Sequence, residues 1–414
     1  MSASNIYKVL NESTQSESED TVIPLEPDWR NDDVGREVYS IPFNLAQLEA
    51  QLCTGATFTI DLLQQIRANK IAIHSEMRKA RHLRTLTKVD LQTRFGNYKV
   101  WSRQEDDDKA ENNYGCVTVR LMSRVELHPD FQHKFWKFSA INRILRVTNE
   151  LQGKNNWVPV PYALVLDTTP WNNEHKDKKI MQGYFNALQT TKRLWLESSS
   201  RKKIVQMTER LAARYKNITK IVCFGLGAIN HDKAFYESSL QHMTAFTIAK
   251  HLEQIYKTQS LHTGAVQVIL QDPCYTQKDR ELLGKLYQGG TLSFASDPDG
   301  LLAVDSNTIV MTAFLPVRYP LMQIIADMFH GMEGKGPAAM ICDELDLNPH
   351  QELYALGNRS SPAVARFLTQ QYAVSDFKDH VLEPELADNL FGADHTDRHW
   401  LSSMHLHMRR AREA

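Results

Sequence analysis

Four apolar stretches in the second half of the chain decide the fold: ITKIVCFGLG (218–227), AVQVILQDP (265–273), TLSFA (291–295) and NTIVMTAFLP (307–316). Their β-branched and aromatic residues favour strands, and the Gly, Pro, Asp and Asn residues around them favour turns. Strands that are apolar along most of their length are typical of a parallel sheet that is covered on both faces.

Amphipathic helices are predicted around these strands, because apolar residues recur three or four positions apart. The apolar positions are Ile204, Met207, Leu211, Tyr215, Leu240, Met243, Ile248, Leu252, Ile255, Leu282, Leu283, Leu286, Leu321, Ile324, Ile325 and Met328. A Ser238/Gln241 capping box and a Thr276 cap are expected to begin two of the helices. The alternation predicts an α/β fold, a Rossmann-like and mostly parallel sheet with helices on both faces.

The chain is expected to divide into three parts. Residues 1–35 are polar with few large apolar residues, which predicts a disordered tail. Residues 36–177 are expected to form an α+β extension, and residues 178–414 the Rossmann-like domain with a C-terminal helical segment. The extension shows a helical pattern from Ile60 to Met77 and at 131–151, a strand or hairpin pattern at 114–127, and a β-rich run from Trp157 to Asp167.

Charge and composition exclude several functional classes. The 414 residues include 48 Lys plus Arg and 49 Asp plus Glu, a net charge of −1, so there is no strong nucleic-acid signal. No apolar run reaches the roughly 18 residues of a membrane span, and no signal peptide is evident. The five cysteines are scattered without a CxxC pair, which argues against a disulfide framework. A cytoplasmic or nuclear protein without a membrane partner is therefore expected, and its protein partners are unknown.

A glycine turn and an acidic residue are the candidate ligand-binding groups. Gly225, Leu226 and Gly227 close the first strand, where glycines allow a tight turn and a close approach to a phosphate or adenosyl group. Alternatively, they only make the turn, since Asn230 replaces the third glycine of the fingerprint. Asp272, followed by Pro273, either holds a ribose or forms a turn. The geometry of a parallel sheet predicts one crevice for its carboxyl-end residues, Gly225, Asp272, Leu315 and Asp343.

The C-terminal histidines are a weaker candidate site. His395 and His399 lie four residues apart, a spacing that can bind a transition metal or haem iron. An exposed polar helix is the favoured interpretation, and no metal is predicted. The basic stretch 78–84 is interpreted as a solvated surface, because no aromatic residues alternate with it. No GxSxG, HExxH or Walker motif is present, so no nucleophile can be named.

Residues 200–345 resemble the sensitivity-to-red-light-reduced (SRR-like) domain family. The matching features are a strand ending in Gly-Leu-Gly, a following helix with a glutamine, and a strand ending in Asp-Pro before an acidic helix. Here they are Gly225, Leu226, Gly227, Gln241, Asp272, Pro273 and Glu281. The family continues a later strand into Met-Pro-His-Cys, whereas this chain has Leu-Pro-Val-Arg at 315–318. The chain thus resembles a divergent member, of a fungal branch with its own N-terminal extension, and roles of that His and Cys are not expected here.

The resemblance implies a regulatory role and no established reaction. Family members are linked to circadian and light responses in plants, to haem biosynthesis and clock-gene expression in animals, and to microtubule-related phenotypes in yeast. The first hypothesis is a regulatory protein whose crevice binds a nucleotide-like ligand. The alternatives are an enzyme that uses S-adenosylmethionine or NAD in that crevice, and a haem-binding regulator. Haem is disfavoured because the chain has no Cys-Pro dipeptide.

Overall fold

The computed structural model describes residues 39–51, 56–79, 88–93, 96–102, 114–128, 130–131, 145–148, 161–168, 174–230, 235–259, 265–380 and 399–410. The strands are β1 (Phe43–Asn44), β2 (Lys88–Thr93), β3 (Gly96–Ser102), β4 (Tyr114–Leu121), β5 (Leu145–Thr148), β6 (Tyr162–Thr168), β7 (Lys220–Phe224), β8 (Gln267–Gln271), β9 (Leu292–Ala295), β10 (Thr308–Thr312), β11 (Ala339–Asp343), β12 (Leu353–Tyr354), β13 (Tyr372–Asp376) and β14 (Met404–Arg409). The α-helices are α1 (Leu45–Gln51), α2 (Ile60–Lys79), α3 (Arg124–Leu127), α4 (Lys178–Glu197), α5 (Ser199–Arg214), α6 (Phe235–Thr258), α7 (Gln277–Leu286), α8 (Asp299–Leu302), α9 (Leu321–Met328) and α10 (Pro362–Gln371). Single 3-10 turns lie at Glu174–Lys176, Leu356–Asn358 and Trp400–Ser403.

A seven-stranded sheet in the order β13-β14-β11-β10-β7-β8-β9 organises the second half of the chain. The five strands from β11 to β9 are parallel, and β14 and β13 extend the sheet as antiparallel strands. Val310 of β10 lies between Val222 of β7 and Met340 of β11. These pairings confirm the prediction of a mostly parallel α/β sheet.

The strand order reverses between β7 and β10. From β7 the chain proceeds outward through β8 to β9, and then returns to form β10 on the other side of β7. When the connections that follow two neighbouring parallel strands run in opposite directions, a crevice opens between them at the carboxyl ends of the strands. The turn at 225–227 and the segment after Thr312 border this crevice.

Alternating side chains of the strands pack into two cores. Ile221 and Cys223 of β7 point to a core that contains α4, α5, α6 and α7. Val222 and Phe224 point to the opposite core, which contains α2, α9 and α10. This period of two is the side-chain geometry of a strand, and it explains why the runs are apolar throughout. Helices therefore cover both faces.

The second core also includes the N-terminal half of the chain. Leu63 and Ile66 of α2, Leu121 of β4 and Leu164 of β6 are buried in it. A buried ion cluster reinforces this contact. The Asp327 carboxylate on α9 accepts hydrogen bonds from the backbone nitrogens of Thr57 and Phe58 at 2.9 and 3.1 Å and from Arg124 Nη2 at 2.7 Å. The division of the chain at residue 178 stays a prediction.

Several elements follow the sequence pattern closely. Helix α2 confirms the helical pattern that begins at Ile60, and β6 confirms the β-rich run that ends at Asp167. The strand pattern at 114–127 is confirmed only as far as Leu121, because Ser123 caps helix α3 at 124–127. Helix α7 begins after Thr276, whose nitrogen and hydroxyl both donate to the Asp279 carboxylate, at 2.7 and 2.6 Å. None of the helices in the described ranges is both long and apolar enough to cross a bilayer.

Three further predictions are wrong for described residues. Residues 145–148 form strand β5, although a helix was predicted there, because pairing with β3 outweighs the local helical pattern. Helix α6 begins at Phe235, so Ser238 and Gln241 lie inside its first two turns and do not form its cap. The start is earlier because Phe235 and Tyr236 are buried in the core.

The exposed C-terminal helix is the third incorrect prediction. Residues 404–409 form strand β14 between β11 and β13, and Met404 and Leu406 are buried. The two strands that pair with β14 are remote from it in sequence, so the spacing of the histidines alone does not predict a strand here. His395 and residues 1–35 lie outside the described residues.

Candidate functional site

The glycine turn after β7 requires glycine at both ends. Gly225 and Gly227 have φ angles of +66° and +77°, in the region that residues with a Cβ rarely adopt. A Cβ at Gly225 would overlap with Leu315 Cδ2, and one at Gly227 with Ser238 Oγ. The turn is therefore packed between the segment after β10 and helix α6.

Asp272 contacts this turn directly. Its Oδ2 accepts a hydrogen bond from the Gly227 nitrogen at 2.9 Å, and its Oδ1 accepts one from the Cys274 nitrogen at 2.8 Å. Burial raises the pKa of this carboxyl, although both backbone hydrogen bonds favour its charged form. Pro273 is exposed beside it. The structure thus brings together the glycine turn and the Asp-Pro pair.

Two more amides in and beside the turn are also used within the protein. The Gly225 nitrogen donates to the Gln271 carbonyl at 2.9 Å, and the Ile229 nitrogen donates to Asp279 Oδ1 at 2.7 Å. Leu226 is fully buried, and Gln241 is buried in α6 one turn after Ser238. These contacts support a turn-forming role for the glycines, and a direct ligand contact at 225–227, Gln241, Asp272 or Pro273 stays a prediction.

A histidine and a tyrosine that the sequence did not single out lie behind the turn. His242 Nδ1 lies 2.6 Å from the Ser238 carbonyl, which can only accept, so Nδ1 carries the proton. The other nitrogen, Nε2, then accepts from the Tyr275 hydroxyl at 2.7 Å. Burial lowers the pKa of His242 to about 4 and raises that of Tyr275 well above its usual value. Both groups are neutral at pH 7 and hold α6 against the loop after β8.

Asp297 is a second acidic group at the carboxyl edge. Its Oδ1 accepts hydrogen bonds from Gln271 Nε2 at 2.7 Å and from the Tyr319 hydroxyl at 2.6 Å, and Lys70 Nζ donates to its backbone oxygen at 2.7 Å. Burial raises the pKa of Asp297 to about 6. The sequence pattern assigns it to a turn. Its position just after β9 is the signal that could have identified it, because it matches that of Asp272 after β8.

A cleft opens at the carboxyl ends of β10 and β11. It has about 640 Å³ of empty space, part of which is open to solvent. Its polar lining residues are Ser123, Arg124, Thr312, Tyr319, Gln323, Asp343, Arg359, Ser360 and Ser361. Leu315, which also lines it, packs over Gly225 and so joins the cleft to the glycine turn.

Asp343 organises the rim of this cleft. Its Oδ2 pairs with Arg359 Nη1 at 2.7 Å, and its Oδ1 accepts from the Phe314 nitrogen at 3.2 Å. Burial raises the pKa of Asp343, and the Arg359 charge opposes that effect. The convergence of Asp343 and Leu315 on the carboxyl edge was predicted. Thr312, Arg359 and Ser360 were not, because nothing in their local sequence marks them.

The C-terminal histidines lie elsewhere, on opposite faces of the sheet. His399 contacts Trp195 of the first core, whereas His407 of β14 is paired with Met340 and faces the second core. His399 and His407 are buried, and burial lowers their pKa values to about 3 and 4. His399 Nδ1 accepts a hydrogen bond from the Leu401 nitrogen at 3.2 Å, so one ring nitrogen is already engaged. Over the described residues, no group of three or more His, Cys, Asp or Glu side chains is arranged to hold a metal ion.

Comparison with known proteins places this site within a family. No curated protein and no solved structure matches the chain. A family model described as the SRR1 domain matches residues 196–404, which is just over half of the 414 residues. The match includes the whole of β7 to β13 with the glycine turn, Asp272 and most of the residues that line the cleft. The match agrees with the resemblance of residues 200–345. The chain therefore belongs to the SRR1 domain family.

Proposed function

We propose that this SRR1-domain protein is a regulatory protein that binds a small nucleotide-like ligand at the carboxyl edge of its sheet. The supporting observation is the reversal of strand order between β7 and β10. The parallel strands β9-β8-β7-β10-β11 follow the 3-2-1-4-5 order of Rossmann-like folds, in which ligands bind beside this reversal. The glycine turn and the cleft border it, and Leu315 lies between them.

Regulation is favoured over catalysis by the way the titratable groups are used. Both Asp272 oxygens accept backbone hydrogen bonds, and both His242 nitrogens have partners. His242 is also fully buried, so these two groups serve to hold the loops together. The proposal includes a location in the cytoplasm or nucleus, which imaging of the tagged full-length chain tests.

An enzyme that uses S-adenosylmethionine or NAD in the same crevice is the second candidate. Asp297 favours it, because a carboxyl with a pKa of about 6 can accept a proton at neutral pH. The group lies at the carboxyl end of β9, and Tyr319 connects it to the cleft by a hydrogen bond of 2.6 Å.

A thermal-shift screen tests the proposal. S-adenosylmethionine, S-adenosylhomocysteine, NAD, NADH and ATP are added to the full-length chain. A ligand at a hundred times its Kd stabilises the folded state by about 2.7 kcal/mol, so binding gives a clear rise in melting temperature. The absence of a shift with all five compounds contradicts the proposal.

Turnover separates the two candidates. A compound that binds is incubated with the wild type and with Asp297→Asn, and product formation is followed by mass spectrometry. Binding without turnover supports the regulatory protein. Turnover that is lost in Asp297→Asn, while binding persists, supports the enzyme.

A further inference from the structure

Two buried hydroxyl groups in the cleft have no hydrogen-bond partner among the described residues. They are Thr312 Oγ1 and Ser360 Oγ, on residues that are only 2% and 8% exposed. Both residues line the cleft, at the end of β10 and in the loop before α10. A buried hydroxyl without a partner costs folding free energy, so these two hydroxyls are groups that a ligand in the cleft can satisfy.

The backbone beside both hydroxyls is strained. Phe314 and Arg359 have φ angles of +49° and +52°, which non-glycine residues rarely adopt. Phe314 follows Thr312 by two residues, and Arg359 directly precedes Ser360. The Asp343 carboxylate contacts both strained residues, at 3.2 and 2.7 Å. Such strain persists where surrounding contacts impose it, and it is frequent at ligand sites.

The charges around the cleft favour an uncharged ligand. Arg359 is paired with Asp343 at the rim, and the buried Arg124 is paired with both Glu49 and Asp327. Each of these cations is thus neutralised, and a phosphate group would find no free partner in them. The walls are apolar, formed by Leu315, Pro316, Leu321, Met322, Leu345 and Leu356.

We propose that this cleft binds the uncharged heterocyclic ring of the ligand, a nucleobase or the reduced nicotinamide of NADH. The apolar walls contact the ring, and the hydroxyls of Thr312 and Ser360 bond to its polar edge, since each hydroxyl both donates and accepts. This assignment rests on the proposed function and specifies which part of the ligand enters the cleft.

Isothermal titration with adenosine, guanosine, nicotinamide and ribose 5-phosphate tests the assignment. The full-length wild type is compared with Thr312→Val, Ser360→Ala and the double variant. Ser375→Ala is the matched control, because Ser375 is exposed on β13. We expect adenosine, guanosine or nicotinamide to bind, with the same affinity for the wild type and for the control. Each single cleft variant should bind about tenfold more weakly, the effect of one lost hydrogen bond.

The outcomes separate this assignment from the proposed function. Equal affinity of the double variant and the wild type overturns the cleft assignment. Binding of ribose 5-phosphate or ATP, when adenosine, guanosine and nicotinamide all fail to bind, overturns it as well. In both cases ligand binding by the protein still stands. If the wild type binds none of adenosine, guanosine and nicotinamide and none of the five compounds of the thermal-shift screen, both proposals are wrong. Melting temperatures of all variants verify that each one is folded.

Discussion

Asp272 Oδ2 accepts a hydrogen bond from the Gly227 backbone nitrogen at 2.9 Å, across 45 residues of sequence. The bond fastens the turn after β7 to the end of β8, two adjacent parallel strands. Because the second oxygen of Asp272 accepts from the Cys274 nitrogen, one carboxylate determines the conformation of both loops. This side chain therefore holds the two loops together.

Asp272→Asn should destabilise the fold by about 1–3 kcal/mol, since one backbone amide then faces an NH₂ group that cannot accept its hydrogen bond. Urea denaturation followed by circular dichroism measures the free energy of unfolding. Asp376→Asn, on the exposed part of β13, is the control and should change stability little. An Asp272→Asn protein as stable as this control would show that the carboxylate does not hold the turn.

Gly225→Val should destabilise the protein by more than about 2 kcal/mol or prevent folding, because it combines a positive φ with overlap on Leu315. Gly284→Ala is the matched control. Gly284 lies in the exposed face of α7 with open space around it, so alanine should add up to about 1 kcal/mol of stability. Melting temperatures that change equally for the two variants would contradict the described turn.

Arg124→Leu should cost about 3–5 kcal/mol, because it leaves the buried carboxylates of Glu49 and Asp327 without their shared cation. Removal of the exposed Arg67–Asp299 pair by Arg67→Met is the comparison. That pair, with side chains 56% and 40% exposed, should contribute about 0–1 kcal/mol. Chemical denaturation of both variants gives the two values. If both variants lose the same small amount of unfolding free energy, the ion cluster does not join the N-terminal half to the sheet.

Two threonines of β10 should respond to valine in opposite ways. Thr312→Val removes the unpartnered hydroxyl and should raise the free energy of unfolding by about 1 kcal/mol. Thr308→Val removes a buried hydroxyl that donates to Asp305 Oδ1 at 2.8 Å, and it should lower that free energy by about 1–3 kcal/mol. Denaturation curves recorded without added ligand test both signs. A loss of stability in Thr312→Val would show that its hydroxyl has a stabilising partner.

Acid should destabilise the protein between pH 6.5 and 4. Burial lowers the pKa values of His242, His380 and His407 to about 4, so in this range the unfolded chain binds protons that the folded chain does not. Stability thus falls as the pH decreases. Asp297 acts in the opposite sense over part of the range, because its raised pKa of about 6 lets the folded state bind a proton first. The raised pKa values of Asp272, Asp327 and Asp343 add to the effect of Asp297, and the pKa of His399, lowered to about 3, adds to that of the histidines. We expect the four histidines to dominate.

The pH effect can be assigned with His407→Leu, which removes one buried imidazole. We expect this variant to lose less stability than the wild type between pH 7 and pH 5, by about 1–2 kcal/mol. Melting temperatures measured over this range provide the comparison. Parallel curves for the two proteins would show that His407 does not account for the acid sensitivity.

The sequence by itself determined the parallel sheet, most of its helices and the position of the glycine turn beside Asp272. These features depend on side-chain periodicity, which is local, and on the rule that the carboxyl ends of parallel strands share one edge. Gly225, Leu315 and Asp343 could be placed at that edge for the same reason.

Only the tertiary structure decided which groups are engaged and which have no partner. Strand β14 pairs with β11 and β13, both remote in sequence, and so its local pattern resembles an exposed helix. Thr308 and Thr312 occur four residues apart in one strand, yet one hydroxyl bonds to Asp305 and the other has no partner within the described chain. Hydrogen-bond satisfaction depends on atoms that distant segments bring within about 3 Å, and no local pattern encodes those distances.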